Sequence, residues 1–356
     1  MKRAILFYGG LLLLVAAMAA VFYGLTMQSA YESSGLTRYK PEGQYIDVGD
    51  GRKLRIWCLG SGKPEVLLES SGLGGADQWK ELLGPLSRYT RVCAYDRAGM
   101  GYSESLGRAP TFKDYGADLD KVAEKAGAGP YILVGASYGG LLMQAWARQH
   151  PEKTGALVLL DSVTPEAFAL LDGPWSKLDR SMMMAGLAAK LGLLRSDDPL
   201  KLGAETQEGW LVYRAHIWDT TRQLLDSRHE AKGLFERLPP LPEDLPLRVL
   251  RHTRVGDLLG PDFSLEEHQK LEPEWVKLQE KAATWSSASK LFAVEKSGHL
   301  IVADAPDLVK DTIVEVMPRA TERRLKLQGI VPHLPGQPVP HAHAPDAGVG
   351  PADAGR

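Results

Sequence analysis

With 356 residues the chain is long enough for about two average domains at roughly 150 residues each, and so for an enzyme-sized core. Its 44% hydrophobic and 24% charged residues, with 37 Gly and 23 Pro, sit near the globular average and exclude collagen, coiled coil and wholesale disorder. Lys and Arg number 42 against 44 Asp and Glu, so the chain lacks the positive field that collects phosphate backbones, and no nucleic-acid partner is expected.

After Met1-Lys2-Arg3 the first charged residue is Glu32, and the stretch from Ala4 to Met27 is Leu, Ala, Val, Phe and Gly-rich. About 20 such residues cross a ~30 Å hydrocarbon layer, whereas a cleavable signal carries an apolar region of only about 7 to 15. Residues 1–30 therefore read as a single membrane anchor. A small-residue site at Ala17-Met18-Ala19 keeps a cleaved signal open, which would leave a secreted or periplasmic protein, and a buried helix is the third reading. Lys2 and Arg3 favour a cytoplasmic N-terminus, which puts the rest of the chain outside the cytoplasm, where disulfides persist.

Short β-branched runs then alternate with amphipathic stretches, the pattern of a mostly parallel sheet flanked by helices. Gln44–Val48 and Lys53–Leu59 read as an antiparallel pair joined at Gly49-Asp50-Gly51. Val66–Ser70, Arg91–Tyr95, Tyr131–Val134 and Ala156–Leu160 follow as strands, and Leu247–Arg251 and Lys290–Val294 complete eight. The clearest helix lies before Gly127: Thr111 is its cap, Asp114 favours its first turn, and Phe112, Tyr115, Leu119, Val122 and Ala126 share one face. Residues 321–356 read as a disordered tail, Pro, Ala, Gly and His-rich from Pro332, in which His341 and His343 are too short a cluster to mark a metal site.

Strand Tyr131–Val134 runs into Gly135-Ala136-Ser137-Tyr138-Gly139 and then a helical Leu141-Leu142-Met143. This is G-x-S-x-G between a strand and a helix. Glycines are needed there because the chain must turn sharply while holding the serine Oγ above the sheet edge. Ser137 is the candidate nucleophile.

At these residues the sequence resembles the α/β-hydrolase superfamily, from about Gln44 to Met317. Ser71-Gly72-Leu73-Gly74-Gly75 with Trp79 is similar to the family's loop after the third strand. Tyr95-Asp96-Arg97-Ala98-Gly99-Met100-Gly101 is similar to its loop after the fourth. Ser297-Gly298-His299 resembles its catalytic histidine segment, so the resemblance makes His299 the base. The acid stays open between two strand-end aspartates. Asp257 occupies the commoner family position after the seventh strand, but Thr253 stands where a glycine is usual; Asp161 ends the sixth strand. Chains that share this one's Trp275, Gln279, Trp285 and Ser-Gly-His segment favour the acid after the sixth strand, so Asp161 is the first choice and Asp257 the alternative. The structural alternative for Asp161 is a capping residue.

The resemblance assigns the oxyanion hole to the backbone N–H groups of Leu73 and Tyr138, with Ser71 standing where the family usually has His before the glycine. It divides the chain into a first core part over 31–161, a helical lid over 162–246 inserted after the sixth strand, and a second core part over 247–320. Within the lid, Met182, Met183, Met184, Leu187, Trp210, Tyr213 and Trp218 are candidates for an apolar acyl pocket or for lid core, and Arg195–Pro199 reads as a solvated loop. Cys58 and Cys93 fall on strands that neighbour each other in the family's order, so they pair as a disulfide or sit as buried thiols.

The expected activity is hydrolysis of a carboxylic ester, small or lipid-like, through Ser137, His299 and an aspartate, with no organic cofactor and no metal. The alternatives are acyl transfer or amide or peptide cleavage on the same residues, and, from another class, a receptor or scaffold with a vestigial site.

Overall fold

Parallel strands buried on both faces read as unbroken apolar runs, and the sheet is made of such runs. The computed structural model describes residues 2–194, 214–260 and 263–329. Eight strands form one sheet: β1 (Gln44–Asp47), β2 (Lys53–Leu59), β3 (Val66–Glu69), β4 (Val92–Tyr95), β5 (Tyr131–Ala136), β6 (Thr154–Leu160), β7 (Leu247–His252) and β8 (Ser289–Val294). Their order is β1-β2-β4-β3-β5-β6-β7-β8, antiparallel in the β1/β2 and β2/β4 pairs and parallel elsewhere. Every residue of β5 and β6 is buried. Alternation splits them between two cores, with Ile132, Val134 and Val158 on one face and Leu133, Leu157 and Leu159 on the other.

The described helices are α1 (Lys2–Arg38), α2 (Lys80–Ser87), α3 (Phe112–Ala126), α4 (Tyr138–Gln149), α5 (Ala167–Leu171), α6 (Trp175–Lys190), α7 (Ala215–Asp226), α8 (Arg228–Phe235), α9 (Leu265–Ala282), α10 (Ile301–Asp304) and α11 (Pro306–Leu327). Capping chemistry starts two of them. Thr111 and Asp114 exchange hydrogen bonds at the head of α3, and Ser264 and Glu267 do so at the head of α9. Helices α5 to α8 lie between β6 and β7, in the interval expected to hold a lid.

Two boundaries and one side-chain placement differ from the sequence reading. α1 runs past residue 30 to Arg38, because Gln28 is buried and Tyr31 packs with Met100, Tyr102 and Ile217, so the apolar segment and the start of the core are one helix. α11 extends to Leu327, where buried Arg323 bonds the Thr154 carbonyl and Asp244, so residues 321–327 are helix and not tail. Within α6, Met182 packs inward, but Met183, Met184 and Leu187 are about half exposed on the outer face and line no interior pocket. The expected loop Arg195–Pro199, Trp210 and Tyr213, and the tail from Pro332 with His341 and His343, lie outside the described residues.

Cys58 and Cys93 face each other across the β2/β4 register and form a disulfide, with Cα atoms 4.1 Å apart.

Candidate active site

The turn from β5 into α4 is sterically over-determined. Ser137 takes φ 51°, ψ −119°, a left-handed φ that costs a non-glycine residue energy and is kept only where surroundings enforce it. The surroundings are backbone: a Cβ on Gly135 would lie 2.4 Å from Gly140 Cα, and one on Gly139 would lie 2.3 Å from the Ser70 carbonyl oxygen. Ser137 therefore stands at the C-terminal edge of the sheet with Tyr138 opening the helix behind it.

Ser137 Oγ is 2.8 Å from His299 Nε2, and His299 Nδ1 is 2.6 Å from Asp161 Oδ2. Asp161, at the end of β6, is fully buried and also takes a positive φ of 43°. Of the two expected acids, Asp161 is the one brought to His299. Asp257 is 42% exposed at its side chain and is held at 2.6 Å by Arg254 three residues earlier, which also reaches Asp304 at 3.0 Å. That local ion pair keeps the Asp257 carboxylate at the surface.

Asp161 has a second imidazole that the sequence reading missed. His252, the last residue of β7, places Nδ1 2.6 Å from the same Oδ2, and its Nε2 faces Glu272 of α9 at 2.9 Å. The other carboxylate oxygen accepts from Trp275 Nε1 at 3.1 Å and from the His252 backbone N–H at 3.3 Å. Burial by itself would raise the Asp161 carboxyl, but the hydrogen bonds and charges of His252 and His299 outweigh it and hold the group well below the usual carboxylate range. Burial opposes charge on His252 as well, yet its two carboxylate partners push it up to about 10, so it is an imidazolium at neutral pH. The signal that finds His252 is the strand order: β6 and β7 are parallel neighbours, so a polar residue ending one meets the residue ending the other.

Asp161, His252 and His299 bring three ligand-type atoms within 4.8 Å of one another. The two 2.6 Å contacts are proton-bridged distances, shorter than the about 3.3 Å between atoms that share a tetrahedral ion at roughly 2.0–2.1 Å. The cluster is built for protons.

The loop after β3 is held from below. Arg97, fully buried, donates to the Glu69 carboxylate and to the carbonyls of Ser70 (2.8 Å), Ser71, Gly72 (3.2 Å) and Gly74 (3.4 Å). Gln78 Oε1 accepts the Ser71 N–H at 2.9 Å. With Ser71 where the family usually has His, these groups supply the loop's support. Tyr138 opens α4, so its N–H is one of the helix's unpaired N-terminal donors, and Leu73 sits on the clamped loop.

A family model described as the alpha/beta hydrolase fold matches residues 64–192. The 2-hydroxy-6-oxo-2,4-heptadienoate hydrolase of Pseudomonas putida is 35% identical over 235 residues, 57% of this chain and 83% of that protein. An uncharacterised Bacillus subtilis protein is 30% identical over 139 residues, and the chain spans 40% of its length and 36% of that of an uncharacterised Schizosaccharomyces pombe relative. Among solved structures, a thermophilic esterase from Thermogutta terrifontis aligns with TM-score 0.57 at 21% identity, covering 78% of this chain and 99% of that one. The enol-lactonase of Burkholderia xenovorans aligns with TM-score 0.53 at 18% identity, covering 77% and 100%. On this match to a relative covered over most of its length, and on the matching family model, the chain belongs to the α/β-hydrolase fold family.

Proposed function

We propose that the chain is a serine hydrolase that cleaves a carboxylic ester through an acyl-enzyme on Ser137. The observation that carries this reading is the 2.8 Å contact from Ser137 Oγ to His299 Nε2 in line with the 2.6 Å contact from His299 Nδ1 to Asp161. A serine hydroxyl attacks a carbonyl once a neutral imidazole takes its proton. His299 is that base: Nδ1–H donates to Asp161, which leaves the Nε2 lone pair toward Ser137. The proton then passes from Nε2 to the departing alkoxide. Water, deprotonated by the same nitrogen, releases the acid. The tetrahedral oxyanion takes the N–H groups of Tyr138 and Leu73, each donor contributing about 3 kcal/mol in the transition state.

His252 acts in this scheme as a fixed cation beside Asp161, and Glu272 keeps it charged. Helices α5 to α8 form the lid over the site. α1 anchors the chain in a membrane with the hydrolase domain on the extracytoplasmic side, a reading supported by its apolar stretch within Leu6–Gly35 and by the Cys58–Cys93 disulfide.

The test is turnover of p-nitrophenyl esters by the full chain and by Ser137→Ala, together with fluorophosphonate labelling. Loss of both in the variant is expected. A folded parent that neither turns over any ester nor takes the label sinks the reading and returns a binding role for the fold.

A further inference from the structure

The apolar length of α1 and the helices over the site meet along one edge. α1 is unbroken from Lys2 to Arg38, and its Leu6, Phe7, Leu12 and Phe22 are each about 70% exposed, a surface long and apolar enough to cross a bilayer. Where it passes the C-terminal end of α6 the approach is at backbone contact: a Cβ on Gly24 would lie 3.0 Å from the Leu191 carbonyl oxygen. About two turns on, Glu32 accepts the Ala215 N–H at 2.9 Å and so caps the head of α7, with Gln28 bonded to the same carboxylate at 3.0 Å. α1 is thus fixed to both helices, with no linker between the apolar stretch and the domain.

On the outer face of α6, Met183, Met184 and Leu187 are 50%, 53% and 50% exposed, and the same helical stripe continues to Leu191, which touches α1. On the inner face, Met182 packs against the cluster of Ala189, Ala215 and Trp218, as does Leu73 of the loop assigned to the oxyanion hole. Leu73 also packs against the cluster of Met100, Tyr102 and Ile217, as does Tyr31 of α1. Tyr31 lies four residues beyond Met27, the end of the apolar run, a rise of about 6 Å along the helix. The loop that would hold the reacting carbonyl and α1 therefore share apolar neighbours close to the level at which the apolar run of α1 ends.

We infer that the outer face of α6 rests on the bilayer beside α1, and that the substrate is an ester with a long alkyl chain taken from that membrane. This deepens the proposed function and rests on its serine-ester and anchor readings. An amphiphile reaching Ser137 from lipid leaves its chain in contact with Met182 and Leu73 and exposes little of it to water.

The experiment uses the full chain in lipid nanodiscs. Both cysteines are bonded to each other, so Met184→Cys gives one labelling site for an environment-sensitive fluorophore, and Tyr89→Cys, 58% exposed before β4 at the opposite edge of the sheet, gives the control. Lipids brominated near the top of the acyl chain should quench the label at 184 and leave the one at 89 bright. A label at 184 as bright as that at 89 overturns the membrane contact. In parallel, the triple variant Met183→Ser, Met184→Ser, Leu187→Ser should keep turnover of soluble p-nitrophenyl butyrate and lose about tenfold or more on a long-chain fluorogenic ester dissolved in the disc. Equal turnover of the disc-borne ester by parent and variant, or equal loss on both esters, overturns the membrane route. If the parent hydrolyses neither ester and resists fluorophosphonate, the serine-ester reading is what has failed, and the quenching still decides the contact.

Discussion

His252 is the residue whose replacement separates a positioned charge from mere packing. Its ring centroid lies 6.3 Å from that of His299, and both Nδ1 atoms bond the same Asp161 oxygen. At an effective dielectric constant near 20, unit charges at that spacing repel by about 2.6 kcal/mol, and the partial solvent exposure of His299 reduces this to an expected ~1–2 kcal/mol. A resident cation on His252 opposes the positive charge that forms on the His299 ring in the transition state, and His252→Gln keeps an amide N–H for Asp161 but no charge. The profile of kcat/KM against pH for a soluble ester should therefore carry an alkaline inflection near 10 in the parent, where His252 loses its proton, and none there in His252→Gln. Glu272→Gln should move that inflection down, because it removes one of the two carboxylates that hold the charge. A second readout comes from folding. The His252 proton is bound more tightly in the folded chain, near 10, than in the unfolded one, near 6.5, so its contribution to stability is complete below about 6.5 and is lost as pH rises through about 10. The urea midpoint of the parent should fall over that alkaline window, and His252→Gln should flatten the fall. A His252→Gln variant that keeps the parent's alkaline inflection and the parent's melting temperature would refute the electrostatic argument and leave His252 as packing.

Three further outcomes follow from the same contacts. Asp161→Asn should cost kcat about 10⁴-fold by removing the charge that fixes the His299 tautomer, whereas Asp257→Asn, which only loosens a surface pair with Arg254, should stay within about threefold; the reverse ranking would return the acid to the loop after β7. Arg97→Met leaves the fully buried Glu69 carboxylate without its cation and takes a donor from four loop carbonyls, so urea unfolding should show a loss of about 3–5 kcal/mol, and a loss under 1 would mean the clamp is not needed. Removing the disulfide as Cys58→Ser, Cys93→Ser reopens a 35-residue closure and should cost about 3–4 kcal/mol, checked by the same titration against the oxidised parent.

The strands and the elbow were readable because their physics is local. Buried parallel strands show as apolar runs, and a serine between glycines after such a run has few other uses. The choice of acid was not local. Asp161 and Asp257 both end strands, and what separates them is Arg254 pulling one to the surface and Trp275, 114 residues away on α9, donating to the other. His252 was passed over for the same reason: its partners lie 91 and 20 residues away and meet it only through the order of the sheet. The stripe Met182–Leu187 was ambiguous because methionine suits a core, a pocket and a lipid face alike, and only the packing of α6 shows which side each residue takes.

Placing the acid on β6 changes how the site is held. β5 and β6 are adjacent, and the two strand ends are tied backbone to backbone: Ser137 N–H bonds the Leu160 carbonyl at 2.9 Å, and Val163 N–H bonds the Ser137 carbonyl at 3.0 Å. Asp161 N–H in turn bonds Leu250 of β7 at 2.7 Å. Gln279 of α9 holds the Ser162 carbonyl, and the Ser162 hydroxyl accepts from Gln144 of α4. Serine and acid therefore belong to one rigid unit, and both pay for it in positive φ, Ser137 at 51° and Asp161 at 43°. His299 comes instead from the loop after β8, so in the proposed mechanism its ring is the member that turns Nε2 from Ser137 to a leaving group. That mechanism divides its labour between two groups fixed on adjacent strand ends and one loop-borne imidazole, which shares its Asp161 oxygen with buried His252.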